Sequence, residues 1–257
     1  MITSRGARRF MVLVASTALT TTALASAGAV VTAPAGSPLV VDTFGRTLAA
    51  GWGSADTGGA WIGSTRFLSV SGGTGKIVVA APGRGPSVFL PATTTSDADL
   101  TVTMSSDKVG TGNGVYLSAM GRRVTGAGDY RFQTRLHADG LVGAMILRTD
   151  AVGAQTALTP EATVPGYHFA AGDKLNVRFQ VTGTSPTTLR AKVWPAAAAE
   201  PSTWLRSAND TTTGLQVAGN VGFMTYLSSS GTNAPVTTSF DNLYVRPTTP
   251  GPSGTEP

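Results

Sequence analysis

The 257-residue chain has a low share of charged side chains, 13%, and a high glycine content, with 32 residues. Glutamate occurs only three times, so good helix formers are scarce while turn and strand residues are abundant. The absence of cysteine excludes disulfide bonds, thiolate metal sites and a cysteine nucleophile. The length suffices for one large β domain with a sizeable core.

Residues 1–27 are typical of a cleavable export signal. Three arginines at positions 5, 8 and 9 precede a mostly apolar stretch, Met11–Leu24, and small-residue cleavage motifs follow at 23–27. The stretch is shorter than the roughly 18–20 apolar residues that span a membrane. We therefore expect cleavage, an extracellular location and no membrane insertion of the mature chain.

Cleavage of this signal would change the charge balance. The full chain has 19 basic and 14 acidic side chains, a net charge of +5. Loss of the three arginines leaves 16 basic and 14 acidic side chains, a net charge of +2. So small an excess gives no support for a nucleic-acid partner.

A small-residue spacer at 28–38 leads into strand-like runs that continue to residue 246. Short runs separated by Gly, Pro and Asp, with no amphipathic helix, predict an all-β fold, a two-sheet antiparallel β-sandwich at 39–246. Residues 247–257 are rich in Pro, Gly and Thr and predict a tail or linker. The predicted strands are Leu39–Phe44, Arg66–Val70, Lys76–Ala81, Ser87–Leu90, Asp99–Ser105, Gly114–Met120, Tyr130–Leu136, Leu141–Thr149, Gln155–Leu158, Lys174–Thr182, Thr187–Trp194, Val221–Leu227 and Val236–Val245.

The clearest element is a hairpin over Asp129–Thr149. Its tip, Ala138–Gly140, contains the Asp-Gly pair that tight turns favour, because glycine tolerates positive φ. In the first arm, apolar and polar side chains alternate with the period of two of a strand that has one buried face. The polar side chains of this arm are Arg131, Gln133, Arg135 and His137.

Several passages within 39–246 form a recognisable set. They are Asp42–Arg46, Gly51–Gly53, Asp56–Trp61, Gly114–Tyr116, Gly128–Arg131, Val193–Trp194, Glu200–Trp204 and Ser239–Leu243. Together they resemble the concanavalin A-like (laminin-G-like) jelly-roll modules of secreted actinobacterial proteins. The resemblance implies a lectin/glucanase-type sandwich, a role close to polysaccharides, and pairing of the first and last strands. It is specific for the fold and weak for function, since this fold carries lectins, binding modules, glycosidases and lyases.

A glycosidase of this fold needs two carboxylates on one face, about 5–5.5 Å apart for a retaining mechanism. Of the three glutamates, Glu256 lies in the tail, Glu161 in a predicted loop, and Glu200 before a proline. Asp97 and Asp99 share a face but open a strand, where Asp often serves a turn. The sequence also lacks the Gly-x-Ser-x-Gly nucleophile elbow. Neither a paired-carboxylate glycosidase nor a triad hydrolase is favoured.

The resemblance also implies what a lyase would require, namely a basic neutraliser, a His or amide, and a Tyr on one sheet. The polar face of the hairpin matches this set in part, with Tyr116 on a neighbouring predicted strand, but the lyase family's paired Tyr-Lys motif is missing. Three interpretations stay open at this point. The face is a solvated outer strand, a binding surface, or a lyase site.

A second basic face is predicted on two later strands. Arg178 and Gln180 lie on the polar side of one, and Arg190, Lys192 and Trp194 on that of the next. An exposed Trp beside planar donors could stack on a sugar and hold its hydroxyls or carboxylates, which would favour an acidic glycan. The alternative for every tryptophan in the chain is packing.

A structural calcium ion is a further hypothesis. Asp42 and Asp241 lie on the first and last predicted strands, and carboxylates are ligands that calcium prefers. The alternation slips around residues 240–243, as a bulge would cause. Both aspartates could equally serve turns.

The sequence thus predicts a secreted, non-catalytic module for binding carbohydrate or another surface partner, with no cofactor required. A polysaccharide-active hydrolase or lyase, or a structural spacer, are the alternatives. The candidate sugar-binding residues are Tyr116, Arg131, Gln133, Arg135, His137, Arg178, Arg190 and Trp194.

Overall fold

A computed structural model describes residues 37–248, which form two eight-stranded antiparallel sheets packed face to face. Sheet 1 contains, in spatial order, β14 (Arg206–Asp210), β13 (Thr187–Pro195), β12 (Lys174–Thr182), β6 (Ala98–Ser106), β16 (Val236–Arg246), β4 (Thr74–Val79) and β3 (Leu68–Ser71), while β1 (Val40–Asp42) also pairs with β16. Sheet 2 contains β10 (Gln155–Ala157), β9 (Leu141–Thr149), β8 (Gly128–Leu136), β7 (Val115–Val124), β15 (Gly219–Leu227), β5 (Ser87–Thr95) and β2 (Ile62–Gly63), while β11 (Ala162–His168) pairs with β9. Two 3-10 turns, Thr65–Phe67 and Thr213–Leu215, complete the elements.

The predicted fold class, an all-β two-sheet sandwich, is confirmed. Each of the thirteen predicted runs overlaps an observed strand, and the hairpin consists of β8 and β9 joined through Gly140 at φ 85°. Three strands were not predicted. β2 has only two residues. β11 contains Pro165 and Gly166 and pairs irregularly with β9. All residues of β14 are half-exposed or exposed, so its sequence shows no apolar alternation.

The two sheets enclose an apolar core in which aromatic rings concentrate at one end. Trp52 and Trp61 meet edge to face at 5.0 Å between ring centroids, and Phe223 and Phe240 pack at 4.7 Å. Burial of each large side chain contributes about 1.5–3 kcal/mol. For Trp52 and Trp61, packing is therefore the role that the structure assigns.

The pairing of the first and last strands, which the resemblance implied, is also present. β1 runs antiparallel to β16, with Asp42 opposite Leu243. The predicted irregularity at 240–243 is a register shift between Asp241 and Tyr244, with Asn242 at φ 52°.

A bulge in β7 places an arginine inside the sandwich. Met120 pairs with Arg131 and Arg122 pairs with Tyr130, so the strand gains one residue at Gly121 relative to β8. The side chain of Arg122 is fully buried and donates to Thr187 Oγ1 (2.7 Å) and to three backbone carbonyls, those of Gly183 (2.8 Å), Leu215 (3.0 Å) and Ser96. Burial lowers the pKa of Arg122, which has no carboxylate partner among residues 37–248.

The predicted signal peptide (1–27), the spacer up to residue 36 and the tail from residue 249 lie outside the described residues. Within 37–248, no helix has the length and hydrophobicity that crossing a membrane requires.

Replacement of Arg122 by Ala should lower the free energy of unfolding by about 3 kcal/mol or more. The change removes the donor of the buried Leu215 carbonyl and of the half-buried Ser96 carbonyl, each costing about 1–3 kcal/mol when buried and unpaired, and opens a cavity. Urea unfolding followed by tryptophan fluorescence would measure the loss. The neighbouring Arg123→Ala is the control, since its half-exposed side chain should change stability by less than about 1 kcal/mol. Equal effects of the two substitutions would contradict this role for Arg122.

Candidate functional site

The outer face of sheet 2 carries a cleft of about 370 Å³. Its floor is built by side chains on three adjacent strands, β8, β7 and β15, together with Gln155 on β10 at the sheet edge. The lining residues are Tyr116, Ser118, Gln133, Gln155, Met224 and Tyr226.

Cross-strand pairing brings these side chains into rows. Tyr116 lies opposite Arg135 on one side and Tyr226 on the other. The two tyrosine rings are 5.8 Å apart and inclined by 50°, and the Arg135 guanidinium lies 5.4 Å from the centre of the Tyr116 ring. Burial raises the pKa of Tyr116, so this side chain is a neutral phenol at physiological pH. The row presents two partly exposed aromatic faces to the cleft.

The prediction that Arg131 and Gln133 face solvent is wrong, because they are only 6% and 7% exposed. Arg131 forms a bidentate ion pair with Asp129, in which both N–O distances are 2.6 Å, and it donates a hydrogen bond to the Met224 sulfur at 3.1 Å. Gln133 is flanked by Ser118 and Met145 on the adjoining strands. The charge of Arg131 is therefore balanced within the protein, and Gln133 is almost fully buried between its cross-strand neighbours.

At the end of β8 next to the hairpin turn, the side chain of His137 contacts Glu161, a residue that the sequence predicts to lie in a loop. Its Nε2 lies 2.8 Å from Glu161 Oε1, and Arg135 Nη1 lies 3.7 Å from Glu161 Oε2. Arg135 Nε also donates to the carbonyl of Asn113 at 2.8 Å. Glu161 thus balances charge at this end, as Asp129 does at the other.

The two carboxylates at the ends of β8 do not match a glycosidase pair. Asp129 and His137, the partner of Glu161, are eight residues apart on one extended segment, which corresponds to about 26 Å. Glycosidase carboxylates lie about 5–9.5 Å apart. The two acids bound to Arg131 and His137 cannot act as such a pair.

The structure does not bring Arg178, Arg190 and Trp194 to this cleft. They lie on β12 and β13 of sheet 1, in the opposite layer. The expectation that Trp194 is exposed is wrong, since it is 7% exposed and packed beneath the 196–205 segment. Arg190 is exposed on the same strand.

Arg178 holds that segment in place. It donates to both carboxylate oxygens of Asp99 (2.8 and 2.6 Å) and to Glu200 (2.9 Å), and lies 5.5 Å from the Trp204 ring. The pKa of Arg178 is raised by these hydrogen bonds. Its contacts are those of a packing residue.

Asp42 and Asp241 do not fit a shared calcium site. Both oxygens of the buried Asp42 are taken by Arg46 (2.7 and 2.9 Å), the Trp61 indole (2.7 Å) and the Phe44 amide (2.9 Å). The guanidinium of Arg46 supplies the positive charge that a cation would bring. Residues 37–248 contain no group of three or more His, Asp or Glu placed to hold a metal ion.

Several cleft residues were missed by sequence reasoning. Met224 and Tyr226 could have been found, because they alternate with buried Phe223, Thr225 and Leu227 along a predicted strand. Glu161 carried no signal, since it meets His137 only through the irregular pairing of β11 with β9.

Asp42→Asn should destabilise the protein by about 3 kcal/mol, because it removes one partner of a buried ion pair. Thermal unfolding in EDTA and in excess calcium should give the same midpoint for each protein. A calcium-induced rise in the midpoint of the wild type, absent from the variant, would show instead that Asp42 ligates the ion.

The hydrogen bonds of the Asp99 carboxylate predict that the free energy of unfolding depends on pH. Burial alone would raise the pKa of Asp99, but hydrogen bonds from Arg178 and Arg246 outweigh it and hold the pKa below the ordinary 3.8. A carboxyl with a lowered folded-state pKa stabilises the protein above its unfolded pKa, and this contribution is lost as the pH falls through the folded value. Asp99→Asn should therefore flatten the fall in unfolding free energy below about pH 4, measured by urea titrations. Equal slopes for the wild type and the variant would refute the prediction.

Comparison with solved structures finds the same fold at low sequence identity. A structure from work on endo-acting O-glycanases of the human gut microbiota has a TM-score of 0.52, with 13% identity over 81% of this chain and 98% of that one. A β-1,3-glucanase from Mycobacterium marinum has a TM-score of 0.51, with 13% identity over 82% and 99%. An alginate lyase in complex with an alginate tetrasaccharide also has a TM-score of 0.51, with 12% identity over 81% and 96%. No protein-family model and no curated protein matches the chain. At these identities, the likeness concerns the fold alone.

Proposed function

We propose that the protein is a secreted, non-catalytic module that binds a polysaccharide in the cleft of sheet 2. The observation that carries the proposal is the pair Tyr116 and Tyr226, whose rings lie 5.8 Å apart above a floor of amide and hydroxyl groups. The N-terminal export pattern supports the extracellular part of the proposal.

The chemistry of the cleft suits a sugar chain. Aromatic rings offer an apolar surface to the C–H face of a sugar ring, while the phenol oxygen remains available for a hydrogen bond. Gln133 and Ser118 supply donors and acceptors for hydroxyl groups. Both are buried and lie on central strands, so little side-chain freedom remains to be lost on binding.

One feature favours binding over a glycosidase. The acids at the two ends of β8 are too far apart for a glycosidase pair.

An enzyme is the second candidate, and the observation that favours it is the contact between His137 and Glu161. The carboxylate can hold the imidazole in one tautomer, an arrangement found in general-base sites. Arg135, beside the same carboxylate, could neutralise a substrate acid. A structural spacer, the third class, requires neither binding nor turnover.

Tyr226→Ala and Tyr116→Ala should each weaken polysaccharide binding about tenfold, a loss of about 1.4 kcal/mol from one stacking face. Native affinity electrophoresis of the mature domain, in gels containing a panel of neutral and acidic polysaccharides, would measure the change. Tyr244→Ala is the matched control, because Tyr244 is 38% exposed but lies on β16 in sheet 1.

The same gels separate the candidate functions. Retardation of the wild type by an intact polymer, lost in the two cleft variants, supports the binding module. Shortening of the polymer that His137→Ala abolishes would support the enzyme. Unchanged mobility on every polymer would contradict both and leave the spacer.

A further inference from the structure

A second cleft, of about 600 Å³, adjoins the first on the side of β5 and β2. Met224 of the first cleft is the cross-strand partner of Ser87, which lines the second. Gly85, also in the second cleft, packs directly against Met224 and Tyr226, where even a Cβ atom would collide. The two clefts therefore lie side by side along sheet 2, over a span from β10 to β2 of about 29 Å at the usual strand spacing, and are together called the groove. The second cleft also reaches Val78 of β4 in sheet 1 and the following Ala80 and Ala81.

Two arginines, Arg66 and Arg84, line the second cleft, and a third, Arg123, lies against the Phe89 ring in its wall. Arg66 lies 4.5 Å from the centre of the Phe67 ring, and both residues line the cleft with the exposed Arg84. Arg123 lies 4.1 Å from the centre of the Phe89 ring, which forms another part of the wall. A guanidinium stacked on a ring keeps its N–H edge available, and that edge matches the two oxygens of a carboxylate or a sulfate.

These arginines differ from those of the first cleft in their charge balance. Arg66, Arg84 and Arg123 form no ion pair with any carboxylate in the described part of the chain, 37–248. Arg131 and Arg135 are both paired with acids. Two uncompensated positive charges thus line one end of the groove, with a third beside its wall. A cleft lined by charges of one sign concentrates ligands of the opposite sign.

We propose that this second cleft binds the oxyanion of a sugar unit, a carboxylate or a sulfate ester, while neighbouring units of the same chain occupy the first cleft. The ligand of the groove is then an acidic polysaccharide. The inference rests on the proposed sugar-binding role of the first cleft, and it assigns the recognition of charge to Arg66, Arg84 and Arg123.

The test compares each acidic polymer with its uncharged counterpart. The probes are polygalacturonate with its methyl ester, and dextran sulfate with dextran, in affinity electrophoresis of the mature domain. The wild type should bind an acidic polymer at least about tenfold more tightly than its partner, about 1.4 kcal/mol. A preference for polygalacturonate over its ester assigns the carboxylate, and a preference confined to dextran sulfate assigns the sulfate ester.

The double variant Arg66→Gln/Arg84→Gln should lose this preference. Both side chains are exposed and unpaired within the described residues, so the thermal midpoint should stay unchanged and serves as the folding check. Arg190→Gln is the matched control, because Arg190 is an exposed arginine on sheet 1 and should keep the preference.

The outcomes separate this inference from the function on which it rests. Two results would overturn the inference: the double variant still prefers the acidic polymers, or the wild type binds both members of each pair equally. In either case, Tyr226→Ala still tests the first cleft. Loss of acidic binding in the double variant but not in Tyr226→Ala would overturn the joint occupancy of the two clefts and the first-cleft proposal together.

Discussion

The buried guanidinium of Arg122 is the interaction on which the geometry of sheet 2 depends. It ties β7 of that sheet to Ser96, Gly183, Thr187 and the 3-10 turn at Leu215. Burial of an arginine that has no carboxylate partner costs free energy. The hydrogen bonds of Arg122 to carbonyls offset that cost, and they form because the bulge at Gly121 directs the side chain inward. A Cβ at Gly121 would lie 2.5 Å from Val181, so the close approach of the two sheets requires glycine there. The same bulge turns Arg123 outward onto Phe89, which couples the packing of the core to the charge of the groove.

Apart from Arg122, ion pairing separates two groups of arginines. Arg46, Arg131 and Arg178 hold structure, and each has an acid within 3 Å. The short distances and buried acids make these pairs poor candidates for ligand contact, because a ligand would have to displace a partner already in place. By contrast, Arg66 and Arg123 stack on aromatic rings near β5, and the other side of each guanidinium faces solvent. Charge balance, more than the number of basic side chains, therefore indicates where an anion could bind.

Sequence pattern predicted the hairpin, most of the strands and the sheet position of Tyr116, because these depend on local alternation and turn chemistry. It failed where the outcome depends on residues far apart in the chain. Arg131 alternates as a solvent-facing residue should, yet Asp129 and Met224 cover it. Trp194 and Arg178 lie beneath a loop whose path no periodicity reveals. The bulge at Gly121 reverses the alternation after Met120, so the inward position of Arg122 could not be predicted from the period of two.

The location of the groove follows from how the two outer faces are covered. On sheet 1, the 196–205 segment lies over β12 and β13, held by the contacts of Glu200 with Arg178 and Lys192 and by the Trp204 ring. The segment covers part of that face, and the cleft of about 330 Å³ beside it is lined by Thr103, Asn176 and Asn242 without a stacked pair of aromatic rings. On sheet 2, Tyr116 and Tyr226 remain partly exposed beside a half-exposed Met224. Half-exposed aromatic rings on central strands leave apolar surface in water, which a ligand can cover without rearrangement of the backbone. The sandwich thus presents a preformed surface with partly exposed aromatic rings on the outer face of sheet 2.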